Sequence, residues 1–297
     1  MDDTVLILGA NGRFGRNAAQ AFRQAGWQVR LFDRKTDDLS VAAAGADVIV
    51  NAWNPPYDQW ASTVPGLTRQ VIAAARAGGS MVIIPGNVYV FGEDAPARFD
   101  EQTPHRATNP LGRTRIEMEE AYRASGVQTL ILRAGDFIDT MPSGNWFDKV
   151  MLAGLGRGRF TYPGDPDQPH AWAFLPDLAR AAVALAEMRA RLDRFEDVPF
   201  PGYTLTGQSL AQAVEKAHGA PLRLHRFNWL AVRLLTPVWK IGRQLIEMRY
   251  LWSKPHALDG TRFATLLPDF EITPLDAALS TALGSEPEGQ GGLALAS

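Results

Sequence analysis

The chain has 297 residues, 46% of them hydrophobic and 21% charged, with a formal net charge of −2 and no cysteine. This is the composition of a soluble globular chain, long enough for one large domain or two modest ones. It excludes disulfides, thiolate catalysis and cysteine metal sites, and gives no electrostatic case for a nucleic-acid partner or an anionic membrane.

The first residues, MDDTVLILGA, are acidic where a secretory signal would be basic, and their apolar run is short. The most apolar later stretch, WLAVRLLTPVWKIGRQLI (229–246), is interrupted by Arg233, Pro237, Lys240 and Arg243. No membrane span is expected, and a cytoplasmic location is. His105, His170, His218, His225 and His256 are scattered without a metal-ligand spacing, so no metal is expected.

In chain order, TVLILG (4–9) is an apolar strand and RNAAQAFRQAG (16–26) a helix closed by Gly26. WQVRLFD (27–33) and DVIVNAW (47–53) are further strands. Helix 62–79 carries Val64, Leu67, Val71, Ile72 and Ala75 on one face. MVIIPG (81–86) is a strand, 110–125 a helix, VQTLILR (127–133) a strand and 175–192 a helix with Pro176 and Asp177 in its first turn. Strands apolar on both faces, alternating with helices, predict a Rossmann-type doubly wound α/β domain with a parallel sheet. That domain is expected over 1–192, with the Gly- and Pro-rich loop 140–170 contributing to a cleft. A smaller mixed C-terminal substrate lobe is expected over 193–284 and a disordered tail over 285–297.

The first strand runs into GANGRFG, with Gly9, Gly12 and Gly15 at three-residue spacing. Strand, glycine turn and helix together form a dinucleotide-binding arrangement. Gly9 permits the tight turn, Gly12 admits a pyrophosphate to the backbone N–H groups, and Gly15 lets helix and strand pack closely. Asn11, Arg13 and Phe14 belong to the same binding loop. Asp33, at the end of the second strand, is placed to accept hydrogen bonds from an adenosine ribose, which favours NAD. Arg34 and Lys35 follow it and keep NADP possible. Only fourteen residues separate Asp33 from Asp47, so the usual third strand is shortened or missing.

These motifs, with IIPGNVYVFG (83–92), NPLGRTRIEMEE (109–120), LILRAGDFID (130–139) and AWAFLPDLARA (171–181), resemble the extended and atypical short-chain dehydrogenases/reductases, the branch of nucleotide-sugar epimerases and dehydratases. The resemblance covers roughly residues 4–190 and is looser beyond. It implies that NAWNPPY (51–57) is a nicotinamide-side turn and that a Ser/Thr motif ends at Val90-Phe91-Gly92. It also implies a helix bearing Tyr-x-x-x-Lys. In such enzymes the tyrosine moves the proton that accompanies hydride transfer, the lysine lowers its pKa and holds the nicotinamide ribose, and the Ser/Thr bonds the substrate oxygen.

Here the tyrosine position is Leu111, the lysine position Arg115 and the Ser/Thr position Asn87. Leucine carries no proton; Arg115 can still hold a ribose hydroxyl, and Asn87 can donate to a carbonyl. Tyr89, two residues on, is the substitute proton donor, expected on the same side as Asn87 if the strand continues; its other use is as an aromatic wall. Tyr57 is expected to pack the turn or hang over the cofactor, and His105 to be exposed. Asp136 lines the pocket or serves as a cap or surface acid, and Arg133 forms a structural ion pair. Arg157 and Arg159 are solvated or reach a diphosphate, and His170 is a pocket or structural residue. Stretch 227–252 packs the small lobe and covers the cleft, pairs helices in a homodimer, or lies on a membrane surface.

The expectation is therefore an NAD(P)-binding oxidoreductase or epimerase-like protein acting on a small carbonyl or sugar-derived substrate. The alternative is a non-catalytic module that binds NAD(P)(H) and reports redox state.

Overall fold

The computed structural model describes residues 3–237 and 239–284, so the expected tail at 285–297 lies outside them. The chain begins with β1 (Thr4–Leu8), α1 (Arg13–Gln24), β2 (Gln28–Phe32), α2 (Leu39–Ala43), β3 (Val48–Asn51), α3 (Trp60–Gly78) and β4 (Met81–Gly86). It continues with β5 (Arg98–Phe99), α4 (Pro110–Ser125), β6 (Thr129–Arg133), β7 (Asp136–Ile138), β8 (Arg159–Tyr162), β9 (Pro169–Phe174), α5 (Leu175–Glu187) and β10 (Phe195–Pro199). The C-terminal part holds β11 (Tyr203–Thr206), α6 (Gly207–His218), β12 (Arg223–Arg226), α7 (Trp229–Leu235), α8 (Lys240–Glu247), β13 (Ala257–Leu258), α9 (Thr261–Leu266) and α10 (Leu275–Leu283).

The main sheet is parallel throughout, in the order β10-β6-β4-β3-β1-β2. Its inner strands β1, β3, β4 and β6 are buried because both faces are covered, whereas the edge strand β2 is largely exposed. Phe22, Ala179, Leu178 and Leu185 of α1 and α5 close one side, and Val71, Met118 and Tyr122 of α3 and α4 close the other. The order reverses at the β1–β3 junction, the place where an open α/β sheet leaves a crevice at its carboxyl ends. As the short Asp33–Asp47 spacing predicts, no strand among the described residues lies outside β2; residues 33–47 hold a turn and the five-residue α2, started by the Asp38 cap on Ser40 and Val41.

Three expected boundaries move. Helix α1 begins at Arg13, since Gly12 takes the cap position. Helix α5 ends at Glu187, and a 3-10 turn fills 189–191. The sheet runs past residue 192 because β10 is its sixth strand, pairing with β6 from Phe195↔Thr129 to Pro199↔Arg133. The lobe has its own core, with Phe160, Trp172, Leu210, Trp229 and Leu279. It draws on β7, β8 and β9 from before 192, while Phe263 of α9 packs into the core of the main sheet.

Stretch 227–252 divides its apolar residues. Trp229, Val232, Met248, Leu251 and Trp252 are buried, whereas Leu230, Leu234, Leu235, Trp239 and Ile241 are exposed. Among the described residues no helix is long and apolar enough to cross a membrane.

Candidate active site

The glycine turn is built by close approach. Gly9 has φ +78°, a conformation open to glycine at no steric cost, and its carbonyl accepts the Gly12 N–H at 2.8 Å. A Cβ on Gly15 would stand 2.2 Å from the Gly9 carbonyl oxygen. Helix α1 therefore starts directly on the turn, with its free N–H groups at the β1–β3 crevice. Arg13 turns away from this cradle and donates to the carbonyls of Ser143 and Gly144 at 2.9 and 2.7 Å. Phe14 is buried in the core. Arg16 and Asn17 of the same helix bind Asp139, at 2.7 and 3.2 Å, so the loop after β7 is tied to the glycine turn.

Asp33 is exposed just past β2, and its carboxylate accepts the Lys35 N–H at 2.9 Å. Arg34 lies over the Trp53 ring at 5.9 Å. A cavity of about 520 Å³ opens here between Phe32, Arg34, Ser40, Trp53, Leu67 and Gln70.

Beyond the glycine turn, the side chains expected to act meet at the ends of β3 and β4. Strand β4 stops at Gly86, and Asn87 becomes a cap: its Oδ1 accepts the Tyr89 N–H at 3.0 Å and a 3-10 turn follows over 88–90. The strand alternation expected to align Asn87 with Tyr89 thus does not apply. Tyr89 instead points at Tyr57, and their hydroxyls are 2.9 Å apart. Tyr57 sits in a second 3-10 turn (57–59) and packs edge-on against Trp60, with ring centroids 5.0 Å apart. Burial raises the pKa of both tyrosines, Tyr89 the more, and the negative charge of Asp136 adds to it.

Arg115 of α4 is buried, its guanidinium 4.2 Å above the Trp60 ring. One end donates to Asn54 Oδ1 at 3.1 Å and another approaches the Met118 sulfur at 3.4 Å. Its Nε is buried with no acceptor among the described residues, and desolvation lowers its pKa. Leu111 is buried at 3% exposure among apolar neighbours. Its backbone N–H, an unpaired donor of the α4 N-terminus, is taken up by Glu247 Oε1 at 2.7 Å, and Asn109 donates to the same oxygen at 2.8 Å. Helix α8, which ends in Glu247, also packs on the Tyr57 turn.

The remaining candidates separate. Asp136 is half-buried and bonds His170 Nε2 at 2.7 Å, while the His170 ring stacks on Trp252 at 4.3 Å. His105 is not the exposed residue expected: its side chain is 22% exposed and lies 3.8 Å from Glu119 and 4.0 Å from Asp197. Arg133 binds both carboxylates, Glu119 at 2.8 Å and Asp197 closer still, and is the ion-paired residue its position implies. His105, Glu119 and Asp197 offer donor atoms within 4.8 Å of one another, but both carboxylates are already engaged by Arg133. Arg157 and Arg159 are exposed, the latter on β8 rather than in a loop. Sequence reasoning missed Asn54, Trp60, Asp139 and Glu247. Each acts through a partner far along the chain, and only the NAWNPPY turn carried a local signal.

Comparison with known proteins agrees with this architecture. The profile of the NAD dependent epimerase/dehydratase family matches residues 5–198. The chain belongs to that family. Its members are NAD-dependent enzymes, in keeping with the resemblance and with the cofactor expected from the glycine loop. No curated protein matches the sequence.

Among solved structures, MoeE5 in complex with UDP-glucose and NAD is similar with a TM-score of 0.71 at 16% identity, covering 96% of this chain and 98% of that one. A nucleoside-diphosphate-sugar epimerase from Pseudomonas aeruginosa gives 0.70 at 17%, covering 96% and 97%. A GalE-like L-threonine dehydrogenase from Cupriavidus necator gives 0.73 at 17%, covering 96% and 99%. These likenesses establish the fold.

Proposed function

We propose that this protein binds NAD at the glycine turn and reduces a small carbonyl or sugar-derived substrate, with Tyr89 supplying the proton that residue 111 cannot. The fit of the cofactor rests on two observations. The turn is cramped enough that only glycine fits at 15, which leaves backbone N–H groups open to a pyrophosphate. Arg115 Nε is a buried donor lacking an acceptor, as a ribose hydroxyl would provide. Asp33 would hold the adenosine ribose, and the cavity beside Phe32 and Trp53 would take the adenine. When bound, NADH supplies the hydride.

The observation that carries the chemistry is the Tyr57–Tyr89 hydroxyl pair at 2.9 Å, beside Arg115. Both hydroxyls have raised pKa values, so they stay protonated near neutral pH. Tyr89 Oη can then give its proton to a substrate oxygen as that oxygen becomes an alkoxide, and Tyr57 Oη can hand Tyr89 a replacement. So little of Tyr89 is ionised at neutral pH that the pair is set to give a proton rather than to take one, although a raised pKa also makes the phenol a weaker acid. Asn87 has its Oδ1 committed to the Tyr89 N–H, leaving its amide N–H₂ to orient a substrate carbonyl. Arg157 and Arg159 would be needed only for a sugar nucleotide of the kind named for MoeE5.

A second reading, a module that binds NAD(P)(H) without turnover, draws on the burial of Leu111 beneath Glu247. The test is a tryptophan energy-transfer titration with NADH and NADPH, followed by single-turnover reduction of a carbonyl panel. Tyr89→Phe should keep nucleotide affinity and lower the reduction rate by about a hundredfold or more. Unchanged turnover in that variant removes Tyr89 from its role, and nucleotide binding without turnover of any substrate favours the module.

A further inference from the structure

The α7–α8 hairpin shows more apolar surface than its packing uses. Trp229 and Val232 turn inward, while Leu230, Leu234, Leu235, Trp239 and Ile241 stay in solvent, Leu234 at 70% exposure. Leu230 and Leu234 are one turn apart on the outer side of α7, and the Trp239 ring lies against Gly242 at the start of α8. An exposed cluster of this kind marks a contact surface.

Basic charge is concentrated on the same hairpin and on β12 just before it. From Ala217 to Ile246 the sequence carries five basic residues (Arg223, Arg226, Arg233, Lys240 and Arg243) and no Asp or Glu. Against a whole-chain charge of −2, the rest of the molecule therefore carries −7. Arg223, Arg226, Arg233 and Arg243 are exposed, and none has a carboxylate partner among the described residues. The net charge argues against an anionic partner only when charge is spread evenly, and here it is polarised.

We propose that the α7–α8 hairpin docks this protein on an anionic lipid surface. Leucine and tryptophan side chains enter the boundary between headgroups and acyl chains, and the arginines meet lipid phosphates with their stems along the apolar layer. A second copy of the chain fits less well. A two-fold contact of this patch with itself would set arginine against arginine, since the hairpin's one acid, Glu247, is turned to Asn109 and Leu111. On its inner side α8 packs on the Tyr57 turn and ends in Glu247, which holds the start of α4. The docked face is thus the outer side of the helix that covers the candidate site.

The test is sedimentation of the full chain with phosphatidylcholine vesicles, with and without phosphatidylglycerol, across a salt series. The protein should follow the anionic vesicles and be released by salt. Leu234→Asp should lower the partition by at least about tenfold, as should Arg233→Glu with Arg243→Glu, the latter also flattening the salt dependence. All three positions are exposed, and an NADH titration on the same samples reads the nucleotide site independently. No partition into anionic vesicles at low salt overturns the proposal, as does unchanged partition in the variants. Equal partition into neutral vesicles overturns the role of charge. A dimer that Leu234→Asp converts to a monomer, with no vesicle binding, reassigns the hairpin to contact between copies.

Discussion

Replacing Gly15 with alanine puts one methyl group between the start of α1 and the turn beneath it. That Cβ would meet the Gly9 oxygen at 2.2 Å, the Gly9 carbonyl carbon at 2.8 Å and Ala10 Cα at 3.1 Å, where ordinary contact begins at 3.4 Å. All three atoms are backbone, so no side chain can swing aside. The turn and the helix must separate by more than 1 Å, from 2.2 Å towards 3.4 Å. A displacement of that size takes an N–H group out of hydrogen-bond range of a bound phosphate. Each charge-assisted bond so lost costs about 1.5–3 kcal/mol, so the NADH dissociation constant should rise by about tenfold to a hundredfold. Overpacking should cost the fold a further ~1–3 kcal/mol. Gly26→Ala is the control. Its φ is +83° and nothing lies within 4 Å of the added methyl, so it costs about 1–2 kcal/mol of backbone strain without touching the turn. Tryptophan energy transfer to NADH reads the affinity, and urea unfolding reads the stability. Wild-type affinity in Gly15→Ala would refute the phosphate cradle. Equal losses in both variants would trace the effect to stability.

Three further outcomes follow from buried groups. Desolvation, with His170 beside it, holds the pKa of His256 well below 6.5, so the folded state keeps this histidine neutral. Its contribution is whole above about pH 6.5, where the unfolded chain is neutral too, and is lost at up to ~1.4 kcal/mol per unit as pH falls below that. Urea midpoints at about pH 7.5 and about pH 5.5 should show this slope reduced in His256→Phe. Arg133→Met strands Glu119 and Asp197 and should cost about 3–5 kcal/mol in urea unfolding, much of it recovered when both acids are changed to their amides. Glu247→Ala removes the cap on Leu111 and Asn109 and should cost about 1–2 kcal/mol, read the same way.

What could be read in the sequence was set by chemistry between near neighbours. The sheet follows from apolar runs such as VLIL and VIV, and the glycine turn from spacing within seven residues. Even the absent strand outside β2 was visible as a chain too short between Asp33 and Asp47 to make one. The site was less legible because its decisive contacts join distant segments. Glu247 reaches Asn109 across 138 positions, and Arg115 reaches Asn54 across 61. His105, expected in solvent, is largely covered, with its ring edge-on to Phe91 and 3.8 Å from Glu119. Tyr89 was placed on a continuing strand, yet the Asn87 cap converts the chain to a 3-10 turn there. Periodicity holds only while regular structure does, and catalytic loops begin where it stops.

If 111 and 115 hold the tyrosine and lysine places that the resemblance implies, Leu111 and Arg115 make physical sense as one set with Glu247. A tyrosine at 111 would bring a hydroxyl into the apolar cluster to which Leu111, Met248 and Leu251 belong, and a buried hydroxyl without a partner is costly. Leucine removes that cost and lets α8 close over the helix start, where the Glu247 carboxylate satisfies the free N–H. With no tyrosine beside it to tune, residue 115 needs a positive charge that survives burial, and an arginine stacked on Trp60 keeps one where a lysine would tend to lose it. On the function proposed here, proton chemistry then passes to Tyr57 and Tyr89, whose hydroxyls meet at 2.9 Å in a turn that α8 packs against.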